Sequence, residues 1–287
     1  MHRLFNTKTI MLALSLGMHE FTPLMAQARA EVILATTTST NDSGLLDSLI
    51  PAFEKSSGVR VKIIAVGTGA ALEMARRGDA DAVLVHAPAL ERDYTRSGDL
   101  VEGRLIMHND FVLVGPPHDP AGVARCKDLA CAMGAMARDQ VFISRGDKSG
   151  THQMEMALWR LAGIPPDSVR GRVETGQGMG ATLDVAEQRL GYTLTDRGTF
   201  LAHRTRATLA ILFEGDPRLL NVYHAYVVNP LTHPATHTES ARALVEFLAS
   251  PAGQATIDRF GRARFGRPLF IPDVGRDTMA LMVPAEK

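Results

Sequence analysis

The chain is 287 residues long, 45% apolar and 22% charged, enough to bury the core of one large or two medium domains. Lysine plus arginine equal aspartate plus glutamate at 31 each, so there is no basic field to gather nucleic acid or an acidic membrane. No internal stretch approaches the ~20 consecutive apolar residues of a membrane span.

In chain order, Arg3 and Lys8 come first, then an apolar run over 9–18, then Ala26, Ala28 and Ala30. Basic, apolar and small-x-small is the order of a secretory signal peptide, which predicts cleavage near residue 30 and export. Removing residues 1–30 takes Arg3, Lys8 and Arg29 against Glu20 and leaves a mature charge of −2. Strand, polar loop and helix then alternate. An apolar run over 32–35 leads into TTTST (36–40) and a helix over 45–53. The alternating stretch 59–66 leads into Gly67-Thr68-Gly69 and a helix over 70–77, and 82–85 leads to His86 and a helix over 89–96. Such alternation predicts an α/β fold with parallel sheets and helices on both faces.

Residues 104–115 (RLIMHNDFVLVG) read as one long strand closed by Pro116-Pro117, and 219–228 as a second, stopped by Asn229-Pro230. Between them the pattern gives helix 128–138, strand 141–144, helix 151–162, strand 169–174, helix 179–189 and strand 191–194. Helices over 238–248 and 253–260 follow. Two long strands bracketing a middle α/β block predict a chain that leaves one lobe, builds another and returns. The first lobe would comprise 31–110 with 221–287, and the second 111–220. Cys126 and Cys131, the two cysteines, lie five apart. Within one helix their side chains would diverge, so a disulfide in an oxidising compartment needs Cys126 ahead of the first turn.

Three loops share one grammar: TTTSTNDSG (36–44), VGTGAAL (66–72) and SRGDKSGTH (144–152) each follow a strand and open a helix. They fall at the carboxyl ends of strands, where open α/β sheets bind ligands. Free backbone N–H groups and the positive end of the helix dipole make such turns anion seats. The third loop is rich in donors (Arg145, Ser149, Gly150, Thr151), and a fourth, TGQGMG (175–180), offers more bare N–H groups. A lone Ser or Thr before a helix is ordinarily an N-cap worth ~1 kcal/mol. Three or four such loops, one with an arginine, point instead to a shared anion. Asp147 is spaced to hold Arg145 by a charge-assisted bond, or to serve as an ordinary turn aspartate.

Competing chemistries are poorly supported. Arg145-Gly146-Asp147 matches a cell-adhesion tripeptide, but three residues recur by chance. Leu72 and Ala181 break GxGxxG after both glycine pairs, and GxxxxGK[ST] is missing. Pro234 breaks the helix that would align His233 with His237 on a metal, and neither HExxH nor GxSxG occurs. Met154, Leu158 and Trp159 have the helical spacing of core. The expectation is a non-enzymatic protein with no cofactor and no bound metal ion.

The ordered segments ATTTSTNDSGLLDSLIPAFEKSSG, VGTGAALEMARRGDADAVLVHAP, MHNDFVLVGPPHDPAG, FISRGDKSGTHQMEMALW and GYTLTDRGTFLA together resemble the tungstate-binding proteins of bacterial ABC importers, from about residue 31 to 273. The resemblance implies a two-lobed periplasmic-binding-protein fold (type II), with two crossover strands and a cleft between the lobes. It implies a periplasmic monomer that captures tungstate and delivers it to an inner-membrane permease and its ATPase. Carried over by residue, it places Thr37, Thr38, Ser39 and Thr68 at the oxyanion on one side. Arg145, Ser149, Gly150 and Thr151 would lie on the other, with Gly178 and Met179 beside them. His108, Cys126 and Cys131 depart from the family pattern.

The loop SRGDKSGT also resembles that of the phosphate-binding proteins. There an aspartate accepts the proton of hydrogen phosphate, and the corresponding place here is His86. Tungstate, molybdate and sulfate are dianions that only accept hydrogen bonds, so a site without that carboxylate suits them better. Molybdate or sulfate remains an alternative cargo, and a secreted hydrolase an alternative class.

Overall fold

The computed structural model describes residues 30–138, 140–203 and 208–276. Apart from Ala30, the expected signal peptide over 1–30 lies outside the described residues. The first three strand–helix units run β1 (Glu31–Thr37), α1 (Thr38–Asp42), α2 (Leu46–Ser57), β2 (Arg60–Val66), α3 (Thr68–Arg77), β3 (Ala82–Val85) and α4 (Pro88–Arg96). The three strands pair in parallel with β1 central, so the loops after β1, β2 and β3 all emerge at one edge. Fifty residues therefore deliver Thr37, Thr68 and His86 to the same rim.

The chain then enters β4 (Leu100–Gly115), 16 residues long. The middle block follows as α5 (Leu129–Met136), β5 (Phe142–Ser144), α6 (Gly150–Leu161), β6 (Arg172–Glu174), α7 (Met179–Gln188), β7 (Thr193–Asp196), α8 (Arg197–His203) and β8 (Ala210–Phe213). The return strand is β9 (Leu220–Val228), followed by α9 (Thr238–Ala249), α10 (Pro251–Arg259), α11 (Arg262–Phe265) and β10 (Ile271–Pro272).

β4 and β9 are the crossover strands. The first part of β4, through Asp110, pairs antiparallel with β9, whereas Phe111–Val114 pair antiparallel with β7. β9 also pairs antiparallel with β3, and β5 pairs in parallel with β6. The sheets are thus mixed rather than parallel as alternation alone predicts, because the two returning strands run against the strands they join. Phe111–Gly115 of β4 and most of β9 are buried, whereas residues 102–104 near the start of β4 are exposed. Four apolar clusters fill the layers. One packs β1, β3 and β9 against α2, α9 and α10, and another packs the opposite face against α3. The other two flank the second part of β4, with α5 and α6 on one side and α7 and α8 on the other.

Among the elements that escape the sequence pattern, three lie near the donor loops or the crossover. α1 is five polar residues (TSTND) with no apolar period, and it forms because Thr37 caps it, accepting from the Thr40 N–H. α8 and β8 lie in a stretch that periodicity leaves blank. The expected strand over 191–194 falls two residues later, which brings Asp196 to its end. Cys126 sits ahead of α5, as a disulfide needs, and is bonded to Cys131 with the Cα atoms 5.5 Å apart. Closing so short a loop restrains the unfolded chain by about 2 kcal/mol. The Cys126→Ala/Cys131→Ala variant is therefore expected to unfold several degrees below the parent in calorimetry, and an unchanged midpoint would show that the bond does not constrain the chain.

Candidate functional site

The four donor loops converge at the crossover. Arg145, two percent exposed, follows β5, and its charge is held by a charge-assisted bond of 2.5 Å to Asp147 Oδ2. Its remaining bonds reach the other loops: Nη2 donates to Thr38 Oγ1 at 3.0 Å, Nη1 to Ser39 Oγ at 3.2 Å, and Nε to the Gln177 carbonyl at 3.3 Å. Asp147 does two things at once, since its other oxygen accepts from the Ser149 N–H at 3.1 Å. The loop turns through left-handed conformations at Gly146 (φ 63°) and Lys148 (φ 59°), where a glycine relieves the first. Beneath it, Glu155 on α6 accepts from Ser144 at 2.6 Å, Trp159 at 3.2 Å and Arg172 at 2.9 Å, which fixes β5 against α6.

The protons of the hydroxyls can be assigned by counting. A hydroxyl that accepts a bond keeps its own proton to give elsewhere. Thr38 and Ser39 accept from Arg145. Thr68 Oγ1 accepts from the Gly150 N–H at 3.1 Å, and Ser149 Oγ, the N-cap of α6, accepts from His152. Thr151 Oγ1 is buried and has no hydrogen-bond partner. Each of these five hydroxyls therefore has a proton to offer. An orphaned buried hydroxyl costs ~1–3 kcal/mol, so Thr151 is tolerated at a price unless it serves a ligand.

Gly150 is confined. A Cβ there would lie 2.9 Å from the His86 ring and 3.1 Å from Thr68 Oγ1. Gly178, the N-cap of α7, lies close enough to Thr38 that an added Cβ would touch it at 3.6 Å, and Met179 is fully buried in the α7 layer. This fourth helix start is not wholly free: Asp42, at the end of α1, accepts from the Gly180 backbone. Crevices of about 410 and 310 Å³ flank the cluster, one against Asp42, Thr199 and His203 and the other against His86, Pro88, Gly150 and Met154.

His86 is buried at the end of β3 and stacks on Tyr223 with ring centroids 4.7 Å apart. It belongs to a closed polar ring that sequence spacing does not reveal. Nδ1 meets Asn221 Oδ1 at 2.9 Å and Nε2 meets Thr37 Oγ1 at 3.1 Å. Asn221 donates to Asn109 Oδ1 at 2.7 Å, and Asn109 donates to Asp196 Oδ1 at 3.1 Å. Asp196 accepts from the Thr199 N–H, and Thr199 Oγ1 donates to the Ser39 carbonyl, returning to α1. Asn109 and Asn221 are register partners on β4 and β9, so the ring passes through both crossover strands. The histidines with metal-like spacing go elsewhere: His233 to the Arg76 carbonyl and His237 to Asp81. Among the described residues no cluster of His, Cys, Asp and Glu suits a metal ion, and no helix is long and apolar enough to cross a membrane.

Residues 25–252 match the PBP superfamily domain. A tungstate-binding protein, TupA, of Peptoclostridium acidaminophilum is 42% identical over 253 residues, 87% of this chain and 88% of that protein. A putative ABC transporter anion-binding protein of Haloferax volcanii is 45% identical over 85% of this chain and 72% of its own length. The crystal structure of the tungstate ABC transporter from Geobacter sulfurreducens is 46% identical with a TM-score of 0.73, covering 79% of this chain and 97% of that one. The chain belongs to the PBP superfamily and, within it, to the family of the tungstate-binding proteins. The two-lobed α/β architecture with its pair of crossover strands is the fold of that class.

Burial, with the Arg145 guanidinium adding to it, holds the His86 pKa down to about 4, so the ring is neutral at pH 7. The unfolded chain protonates this histidine near pH 6.5 and the folded chain only near 4. In that window the unfolded state holds more protons, and stability falls as pH drops through it, by about 3 kcal/mol in all. Urea unfolding of the parent and of His86→Gln at pH 7 and pH 4.5 is expected to show a smaller loss on acidification in the variant. Equal losses would place the ring in contact with solvent.

Proposed function

We propose that this protein is the periplasmic receptor of an ABC importer and that it captures tungstate in the cleft between its lobes. The reading takes residues 31–110 and 221–287 as one lobe and 111–220 as the other. Thr38, Ser39 and Thr68 then face Arg145, Ser149, Gly150, Thr151 and Gly178 across the cleft. The observation that carries it is the set of hydroxyls with uncommitted protons around a buried guanidinium, including the unpartnered Thr151 Oγ1. A dianion with no proton of its own needs donors alone. Of the carboxylates beside the donors, Asp147 has both oxygens occupied, one by Arg145 and one by Ser149, and Asp42 accepts from the Gly180 backbone. That arrangement supports an anion that cannot donate, and the names of the related proteins support tungstate among such anions. Export by the N-terminal segment, monomeric capture and delivery to an inner-membrane permease complete the proposal.

Helix starts and charge-assisted bonds supply the affinity. Arg145→Ala removes the guanidinium and frees the carboxylate of Asp147 to repel the anion. Loss of one charge-assisted bond weakens binding roughly ten- to hundredfold, so calorimetry with tungstate should show at least that fall in a folded variant. Arg145→Lys should recover little, because a point charge does not reproduce a fork that reaches Thr38, Ser39 and Gln177 at once. Competition among tungstate, molybdate, sulfate and hydrogen phosphate is expected to rank hydrogen phosphate last. Near-parental affinity in Arg145→Ala would remove this site from consideration.

A further inference from the structure

We propose that His86 is a positioning residue: its Nε2 accepts the hydrogen bond of the Thr37 hydroxyl, so that Thr37 acts as the clamp of α1 and gives no hydroxyl bond to the anion. The proposal rests on the oxyanion-receptor reading above and assigns Thr37 and His86 their parts within it. The direction of each bond in the polar ring follows from its fixed end. That end is Asp196 Oδ1, fixed as an acceptor by the Thr199 backbone N–H at 2.9 Å, and it accepts from Asn109 Nδ2 as well. The Asn109 oxygen therefore faces Asn221, whose amide nitrogen donates to it and also to the Tyr223 hydroxyl at 3.0 Å. That leaves the Asn221 oxygen toward His86 Nδ1, which must carry the proton. A neutral ring protonated at Nδ1 has a bare Nε2, an acceptor.

The remaining partner of Nε2 is Thr37 Oγ1 at 3.1 Å, so the threonine proton points there. The lone pairs of the same oxygen are taken by the Thr40 N–H at 3.2 Å and the Thr40 hydroxyl at 2.7 Å. Thr37 is thereby saturated, unlike Thr38, Ser39, Thr68, Ser149 and Thr151, each of which has a proton to give. A five-residue polar helix has little stability of its own, and the saturated cap locks the turn that presents Thr38 and Ser39 to Arg145. The family resemblance implies three consecutive hydroxyls, Thr37, Thr38 and Ser39, at the anion, whereas their hydrogen bonds divide them into one clamp and two donors.

Two measurements on the full-length mature chain test this. Nitrogen-15 spectra of the imidazoles, with and without sodium tungstate at neutral pH, are expected to show His86 protonated at Nδ1 and bare at Nε2 in both states. A proton on Nε2 in either state would overturn the proposal, whatever the affinity for tungstate. Calorimetry then follows a double-mutant cycle of His86→Gln and Thr37→Val. Each single change is expected to weaken tungstate binding about tenfold, on the scale of a lost helix cap, and the double variant no further than the weaker single one. Additive losses would mean that His86 contacts the anion independently of Thr37 and would refute its positioning role. Should Thr37→Val fail to fold, the tautomer decides alone. A parental protein that ignores tungstate would refute the receptor reading while leaving the tautomer result to judge the ring.

Discussion

Everything at the crossover depends on the burial of one cation. A guanidinium two percent exposed would be costly without a counter-charge, and Asp147, two residues along the same loop, supplies it. The other N–H groups of Arg145 then reach out of their own loop to α1 and to the turn before α7. A single side chain thus ties three of the four donor loops together. It also sets their chemistry, because a hydroxyl that accepts from an arginine must turn its own proton away from it. Thr38 and Ser39 become donors because Arg145 makes them acceptors first.

The scaffold that permits this is the pair of long strands. β4 changes partner between Asp110 and Phe111, from β9 to β7, so the two cores lie on either side of that step. Arg197, at the start of α8, is ion-paired with Asp110 and Glu214 and braces the same step. Asn109 and Asn221 sit one residue before it on facing strands, where each amide satisfies a neighbour and neither needs water. A two-lobed receptor must bend near its crossover strands. The polar ring of His86, Asn221, Asn109, Asp196 and Thr199 runs through that region and joins it to α1.

Much of this was legible from sequence and some was not, for identifiable reasons. The donor loops were readable because local chemistry carries them: an apolar run, then hydroxyls and glycines, then a helical period. The return of the chain through 219–228 was readable from length and its Asn-Pro stop. Strand direction was not, since alternation of strand and helix cannot tell that β9 inserts antiparallel between β3 and β4. α1 was hidden because its stability comes from a cap and from tertiary contacts rather than from any apolar stripe. The ring was hidden because most of its links join residues far apart in the chain, from 49 positions between Thr37 and His86 to 160 between Ser39 and Thr199, and the fold alone brings them together. The resemblance groups Thr37 with Thr38 and Ser39, and a sequence does not say where a hydroxyl proton points.

In the proposed receptor, donors from both sides of the crossover converge on one anion. A crystal of the tungstate-bound protein measured at the tungsten absorption edge tests it most directly, because the anomalous signal locates the metal of the oxyanion without a model. A single strong peak is expected, its oxygens about 3 Å from Arg145, Thr151 Oγ1 and the Thr38 and Ser39 hydroxyls, and beyond hydrogen-bond reach of His86. A peak elsewhere, or oxygens bonded to His86 and Thr37 in place of those donors, would contradict it.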